Sequence, residues 1–132
     1  IASVKTTQKR KSKSPRRSQK DWSPLGRKDD FGKPRMDLLD PYAIEELSKV
    51  LTFGAQKYEA HNWKKGISAS RLVAAAFRHL FAFVRGEDID KESGLPHVAH
   101  AMCCCMFLLW MMRFRPKFDD RFTREVFEED GK

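Results

Sequence analysis

Cysteine is scarce and badly placed for cross-linking: Cys103, Cys104 and Cys105 are the only three in 132 residues, and they are consecutive. No ordinary intrachain disulfide framework can be built from neighbours in one run, so the chain reads as a protein of a reducing, intracellular setting, the cytoplasm. Long apolar runs are also missing. The longest uninterrupted one, Ala101 to Met112, is twelve residues. A bilayer span needs about 20, so this run reads as a core helix, and no membrane partner is expected. No secretory signal is expected. The seven glycines, at 26, 32, 54, 66, 86, 94 and 131, match neither a P-loop nor the dinucleotide fingerprint. There is no His-Asp dipeptide, no serine elbow and no Cys-x-x-Cys pair. Their absence weighs against the common His-Asp, esterase and zinc-ribbon chemistries. No segment of any length alternates with the period of a strand, and there is no internal repeat.

Acid is lacking from one stretch. Of 26 basic residues, eight lie within residues 1–20, which hold no acid; the other 112 residues carry 18 basic against 18 acidic side chains. The net charge of +8 therefore belongs to an N-terminal arm. Residues 1–20 have no aromatic side chain and no apolar one larger than alanine after Val4, too little to offset the entropy of ordering, so the arm reads as disordered. Lys9, Arg10, Lys11, Lys13, Arg16 and Arg17 suit nonspecific contact with nucleic-acid phosphates or a localisation signal, and a solubilising leader is the alternative.

What is present is helical. By size the chain is one domain. Residues 21–39, with Pro24, Gly26, Gly32 and Pro34, form an irregular lead-in whose Trp22, Phe31, Met36, Leu38 and Leu39 are expected to pin it to a core. A first helix starts at Asp40-Pro41, an N-cap followed by proline at the first helical position, and runs to about Tyr58. Ile44, Leu47, Leu51, Gly54 and Tyr58 share one stripe of it; Glu46 and Lys57 border that stripe, and Glu45 with Lys49 reads as a surface pair. A second helix, about Ser70 to Arg85, ends at Gly86 and is apolar nearly all round, which predicts burial on several sides. His79 falls on its stripe with Leu72, Ala76 and Phe83, where a hydrogen-bonded core histidine is the ordinary reading. The third helix, Pro96 to about Phe114, has large apolar residues on every face, so self-association through it is expected. Residues 40–115 form the domain, and 116–132, beyond the stop at Pro116, a C-terminal amphipathic tail. The fold class is all-α, a bundle of three to four helices.

The densest chemistry lies between the second and third helices. Gly86 to His100 packs Glu87, Asp88, Asp90 and Glu92 with His97 and His100 into fifteen positions. Oxygen and imidazole donors at that density suit a divalent cation and phosphate chemistry. His97 and His100, three apart on a first helical turn, point the same way. The alternative is an acidic loop that caps a helix N-terminus and satisfies two histidines.

Together with that stretch, Gly54-Ala55-Gln56-Lys57-Tyr58, Asn62-Trp63-Lys64-Lys65-Gly66 and Arg78-His79-Leu80 resemble the phage-type dATP/dGTP diphosphohydrolase domain, a branch similar to the MazG-like all-α NTP pyrophosphohydrolases. The resemblance covers roughly residues 33–113. It implies Mg²⁺- or Mn²⁺-assisted hydrolysis of a purine deoxynucleoside triphosphate to monophosphate and pyrophosphate, in an oligomer. It also implies site roles. Glu46, Asp90, His97 and His100 would be catalytic; Glu46, Glu87, Asp88, Asp90, Glu92, His97 and His100 would hold metal. Lys57, Asn62, Trp63, Arg78 and His79 would bind substrate, Asn62 and Trp63 at the base. The MazG-like pattern has Glu-x-x-Glu on an early helix and Glu-x-x-Asp on a later one. Here Glu46 is followed by Lys49, and the later helix carries His97-x-x-His100, which shifts the expected preference toward ions that accept imidazole. The competing reading is a noncatalytic nucleic-acid-associated scaffold that binds through the basic arm.

Overall fold

The computed structural model describes residues 24–122, so the basic arm, Trp22 and the tail beyond Phe122 lie outside the described residues. The chain divides into two compact units, Ile1–Leu38 and Leu39–Lys132. In the described part of the first, structure is local. Asp29 accepts from the Phe31 N–H, Lys33 N–H bonds to the Asp30 carbonyl, and a one-turn 3₁₀ helix spans Met36–Leu38. Arg35 grips Asp37 through two nitrogens, at 2.9 and 2.7 Å. Phe31, Met36 and Leu38 are exposed, as is Leu39 at the start of the second unit. The expected burial of these side chains is not what the structure shows, because a stretch held by turns two or three residues long has no stripe to bury.

The second unit is helical: α1 (Pro41–Lys57), α2 (Ala69–Val84) and α3 (His97–Phe114), with one-turn 3₁₀ helices at Asn62–Lys65 and Pro116–Phe118. Among the described residues the only β pairing is an isolated antiparallel bridge, Ile89 with Pro96. Asp40 caps α1, its Oδ2 accepting from the Ala43 N–H at 2.8 Å, and Pro41 sits where a missing N–H costs nothing. That cap is worth about 1 kcal/mol. Pro96 serves as N-cap residue of α3 rather than its first helical residue, so the helix opens on His97.

The central helix is α3, packed against both α2 and α1. By length and composition it would pass for a membrane-crossing helix. Here Val50 of α1 joins Ala99 and Cys103 of α3 in the core, with Leu47, Leu51, Leu95 and Phe107 around them. Tyr58, expected on the buried stripe, is exposed, and Val50, which the stripe omitted, is buried.

Helix α2 departs furthest from expectation. Its buried side is Leu72 with Ala69, Ala76 and Ala82, three small residues that let helices approach closely, whereas Phe77, Leu80, Phe81, Phe83 and Val84 are exposed. An all-round apolar helix needs neighbours on several sides. Within one chain α2 packs chiefly on α3.

Past α3, the chain returns to the start of α2. Ser68 makes no side-chain cap there; instead Asp120 accepts from the Ser70 N–H at 2.9 Å and from its hydroxyl at 2.6 Å. A carboxylate at a helix N-terminus is favoured by the macrodipole. The Phe118 ring covers Gly66, whose φ of 114° suits glycine and where a Cβ would overlap the ring.

Candidate metal and nucleotide site

The loop from Gly86 to Pro96 is closed by its own backbone. Glu87 N–H bonds to the Ala82 carbonyl at the end of α2, Asp90 N–H to Leu95, Gly94 N–H to Asp90, and His97 N–H back to Asp88. Gly86 and Gly94, at φ of 100° and 73°, supply the left-handed turns at its two ends. This closure turns an acidic run into a fixed frame, and the carboxylates in it acquire separate tasks.

Glu87 Oε2 faces His97 Nε2 at 3.0 Å, and Asp90 Oδ2 lies 3.7 Å from His100 Nε2. Between that second pair stands Ser93. Its Oγ is 2.9 Å from Asp90 Oδ2 and 2.7 Å from His100 Nε2, and its N–H donates to the same Asp90 oxygen at 2.9 Å. Ser93 is not among the site residues expected from the sequence. Its signal was an Asp-x-x-Ser spacing, in which aspartate folds back on the backbone ahead of it.

His79 of α2 joins the two couples. Its Nδ1 is 2.9 Å from His97 Nδ1, and its ring stacks on that of His100 with centroids 4.5 Å apart and planes 12° from parallel. It is therefore neither an isolated core histidine nor remote from the loop. Burial pushes the His79 basicity down, and the charges His100 and His97 would carry push it further. His100 is lowered by the same burial, against the pull of Asp90. The Glu87 carboxyl is held below the usual range by its bond from His97. At Asp90 burial works upward, but the Ser93 N–H and hydroxyl outweigh it and the carboxyl ends low. Neutral imidazoles beside ionised carboxylates are the protonation states that bind cations.

Donor atoms of His79, Asp90 and His97 lie within 4.8 Å of one another, a group fit to hold a metal ion. Two imidazole nitrogens and one carboxylate oxygen leave positions open for water or substrate. His79, Asp90 and His100 line a cavity of about 620 Å³ whose other walls come from α1, the Tyr58–Ile67 link and α3. Lys57 and Glu92 are at that cavity too, paired Nζ to Oε2 at 2.6 Å. Asn62 and Trp63 line it as well. The Trp63 indole is braced, stacked on Phe107 at 4.5 Å and edge-on to Trp110 at 5.1 Å. Cys103 and Cys104 contribute buried thiols, Cys103 pushed up to about 12 by burial, so the pair acts as apolar wall.

Other expected site residues stand elsewhere. Glu46 is largely buried but pairs with Lys49 at 2.8 Å, and it is not among the residues lining the cavity. The pair expected between Glu45 and Lys49 is thus replaced by an i,i+3 bond that Lys49 donates to Glu46. Asp88 gives its carbonyl to the loop, and neither its side chain nor Arg78 or Glu87 lines the cavity. The arm residues Lys9 to Arg17 lie outside the described residues.

An all-α bundle with a cation-competent group, of which His79 and Asp90 line a ligand-sized cavity and the buried His97 does not, is the class these features define. Residues 23–121 match the family described as dATP/dGTP diphosphohydrolase, N-terminal, and the chain belongs to that family. It is 43% identical over 96 residues to a dATP/dGTP diphosphohydrolase of Salmonella phage PMBT28, an alignment that covers 73% of this chain and 33% of the relative. The chain thus spans about a third of the length of that relative. No solved structure matches.

Proposed function

We propose that the protein hydrolyses purine deoxynucleoside triphosphates to the monophosphate and pyrophosphate with the help of a divalent ion, Mg²⁺, Mn²⁺ or another that accepts imidazole. The observation that carries this is the cavity itself, which joins His79, Asp90 and His100 to the Lys57 ammonium and to the Asn62–Trp63 wall in one space. Its volume of about 620 Å³ is that of a small-ligand site, for which roughly 300–1,000 Å³ is usual. The family and the relative's name support the reaction and the purine substrate.

His79, Asp90 and His97 would hold the ion. When bound, it supplies charge stabilisation at the phosphate oxygens and lowers the pKa of water. Lys57 meets the phosphate chain, exchanging its exposed bond to Glu92 for a more highly charged partner. Asn62 offers its amide to the base edge, and the braced Trp63 keeps the base end apolar and dry. Water attacks the α-phosphorus, and the bond to the bridging oxygen of the β-phosphate breaks, releasing pyrophosphate. His100, kept neutral by burial, stands ready to take the proton of that water.

Self-association is part of the same reading. Phe77 and Phe81 stack at 5.9 Å on the exposed side of α2, and Leu109, Met112 and Phe114 are exposed on α3. A second copy would cover such faces. The acid-free arm favours, beside hydrolysis, weak nonspecific binding of nucleic acid.

The test is a nucleotide panel with product identification, with and without divalent ions. Pyrophosphate from dATP or dGTP, lost with excess EDTA, is the expected result; orthophosphate as first product, or turnover indifferent to EDTA, contradicts it.

A further inference from the structure

The two histidines that face each other cannot both present hydrogens. His79 Nδ1 and His97 Nδ1 are 2.9 Å apart, so one nitrogen donates and the other accepts. What decides between them lies on the far side of the His97 ring, where Nε2 meets Glu87 Oε2 at 3.0 Å. An ionised carboxylate only accepts, so it holds a hydrogen on His97 Nε2, and in the tautomer that this hydrogen defines Nδ1 is a lone pair. His97 is 5% exposed, with its backbone N–H tied to the Asp88 carbonyl, and its ring has little freedom to turn away.

We propose that Glu87 is a positioning residue rather than a metal ligand: it fixes His97 Nδ1 as the ligating atom and makes the site one for imidazole-accepting ions. Two nitrogens each bonded at about 2.1 Å to one ion stand about 3.0 Å apart at a right angle and about 3.4 Å apart at the tetrahedral angle. The Nδ1···Nδ1 separation of 2.9 Å is close to the first of these, and a ligand oxygen of Asp90 is within 4.8 Å of both histidines' donor atoms. Without an ion, one hydrogen on His79 Nδ1 fills the gap. To ligate an ion through Nδ1, His79 would give that hydrogen to solvent and take one from solvent at Nε2, so the number of protons on the ring would be unchanged. Nitrogen donors favour Co²⁺ or Zn²⁺ over Mg²⁺, which prefers oxygen. The carboxylate behind the imidazole raises its basicity and holds the ring in register.

This rests on reading the His79, Asp90 and His97 group as a metal site, and its test does not depend on nucleotide turnover. In the metal-free protein, ¹⁵N NMR of the histidine rings should find the His97 hydrogen on Nε2. Calorimetric titration should show Co²⁺ binding more tightly than Mg²⁺, with a visible absorption band from nitrogen ligation. Glu87→Ala should weaken Co²⁺ binding about 10- to 100-fold. Glu87→Gln, whose amide carbonyl can still accept from Nε2–H, should recover part of the loss and covers the case in which the alanine variant does not fold. A hydrogen on His97 Nδ1, equal affinities for Mg²⁺ and Co²⁺, or unchanged Co²⁺ binding in both variants would each overturn the assignment. If wild type bound neither ion, the metal reading itself would fall. Co²⁺ binding without hydrolysis would remove only the proposed reaction.

Discussion

His79, from the middle of α2, is hydrogen-bonded to His97 at the first position of α3 and stacked on His100 one turn later. That contact ties the helix pair to the loop between them, and it makes His79 a structural and a chemical residue at once. Replacing it by alanine removes a ligand and leaves the buried His97 Nδ1 without its partner. Stability should fall by about 1–3 kcal/mol, the cost of an unsatisfied buried polar group. Divalent-ion binding should fall below detection. Urea denaturation and calorimetric titration would measure the two effects, and unchanged ion affinity would place the metal elsewhere.

Acid should unfold the protein from the histidine range downward. His79 and His100 are lowered from 6.5 in the fold, so the unfolded chain takes up protons first. The stability lost begins as pH drops below 6.5 and stops growing only once it has passed the folded values. Glu87 and Asp90 are also lowered, so their contribution is present above their ordinary values of 4.5 and 3.8 and is lost as pH falls through the folded ones. Both effects have one sign. Thermal melts between pH 8 and pH 3 should show a transition temperature that declines in two stages; a flat profile across pH 7 to 5 would contradict the buried, neutral histidines.

Lys57 and Glu92 form an exposed bridge, and such pairs contribute about 0–1 kcal/mol. Lys57→Gln should therefore leave the melting temperature nearly unchanged. If its ammonium meets phosphate, KM should rise about tenfold with a smaller effect on kcat. Steady-state kinetics with dATP and dGTP would show the split, and an unchanged KM would remove Lys57 from the binding site.

Ser93 is expected to act through Asp90 and His100. Ser93→Ala deletes the hydroxyl between them, whereas Ser93→Thr keeps it. Activity should drop at least tenfold in the first and return largely in the second. A pH profile would separate this from simple loss of fold, since freeing His100 Nε2 should move the acidic limb. Equal activity in all three proteins would make Ser93 a loop residue only.

Gly66 tests the packing at the other end of the bundle. Alanine there meets the Phe118 ring in a backbone conformation at φ 114°. Stability should fall by about 2–3 kcal/mol from strain and displacement of the ring. Chemical denaturation measures it, and a loss under about 0.5 kcal/mol would mean that the Pro116–Phe118 turn moves freely.

Phe81→Asp bears on assembly. The side chain is 57% exposed, so a single chain should tolerate the change, whereas an interface through α2 should not. Light scattering at micromolar concentration should show the wild type as an oligomer and the variant as a smaller species. A wild-type monomer would leave the α2 and α3 apolar faces without a partner copy.

Much of this was written in local chemistry. Asp40-Pro41 starts α1 and Gly86 ends α2 because caps and left-handed turns depend on a few adjacent residues. The crowding of donors between Gly86 and His100 marked the site for the same reason. Tertiary structure decided which donor meets which. His79 joins the loop from eighteen residues before His97, Ser93 comes between Asp90 and His100, and Glu46 turns to Lys49 instead of the cavity. It also decided the faces of α2. With apolar side chains on every side, the pattern set no direction, and the small residues Ala69, Ala76 and Ala82 took the interior because they allow close approach to α3, leaving the phenylalanines outside.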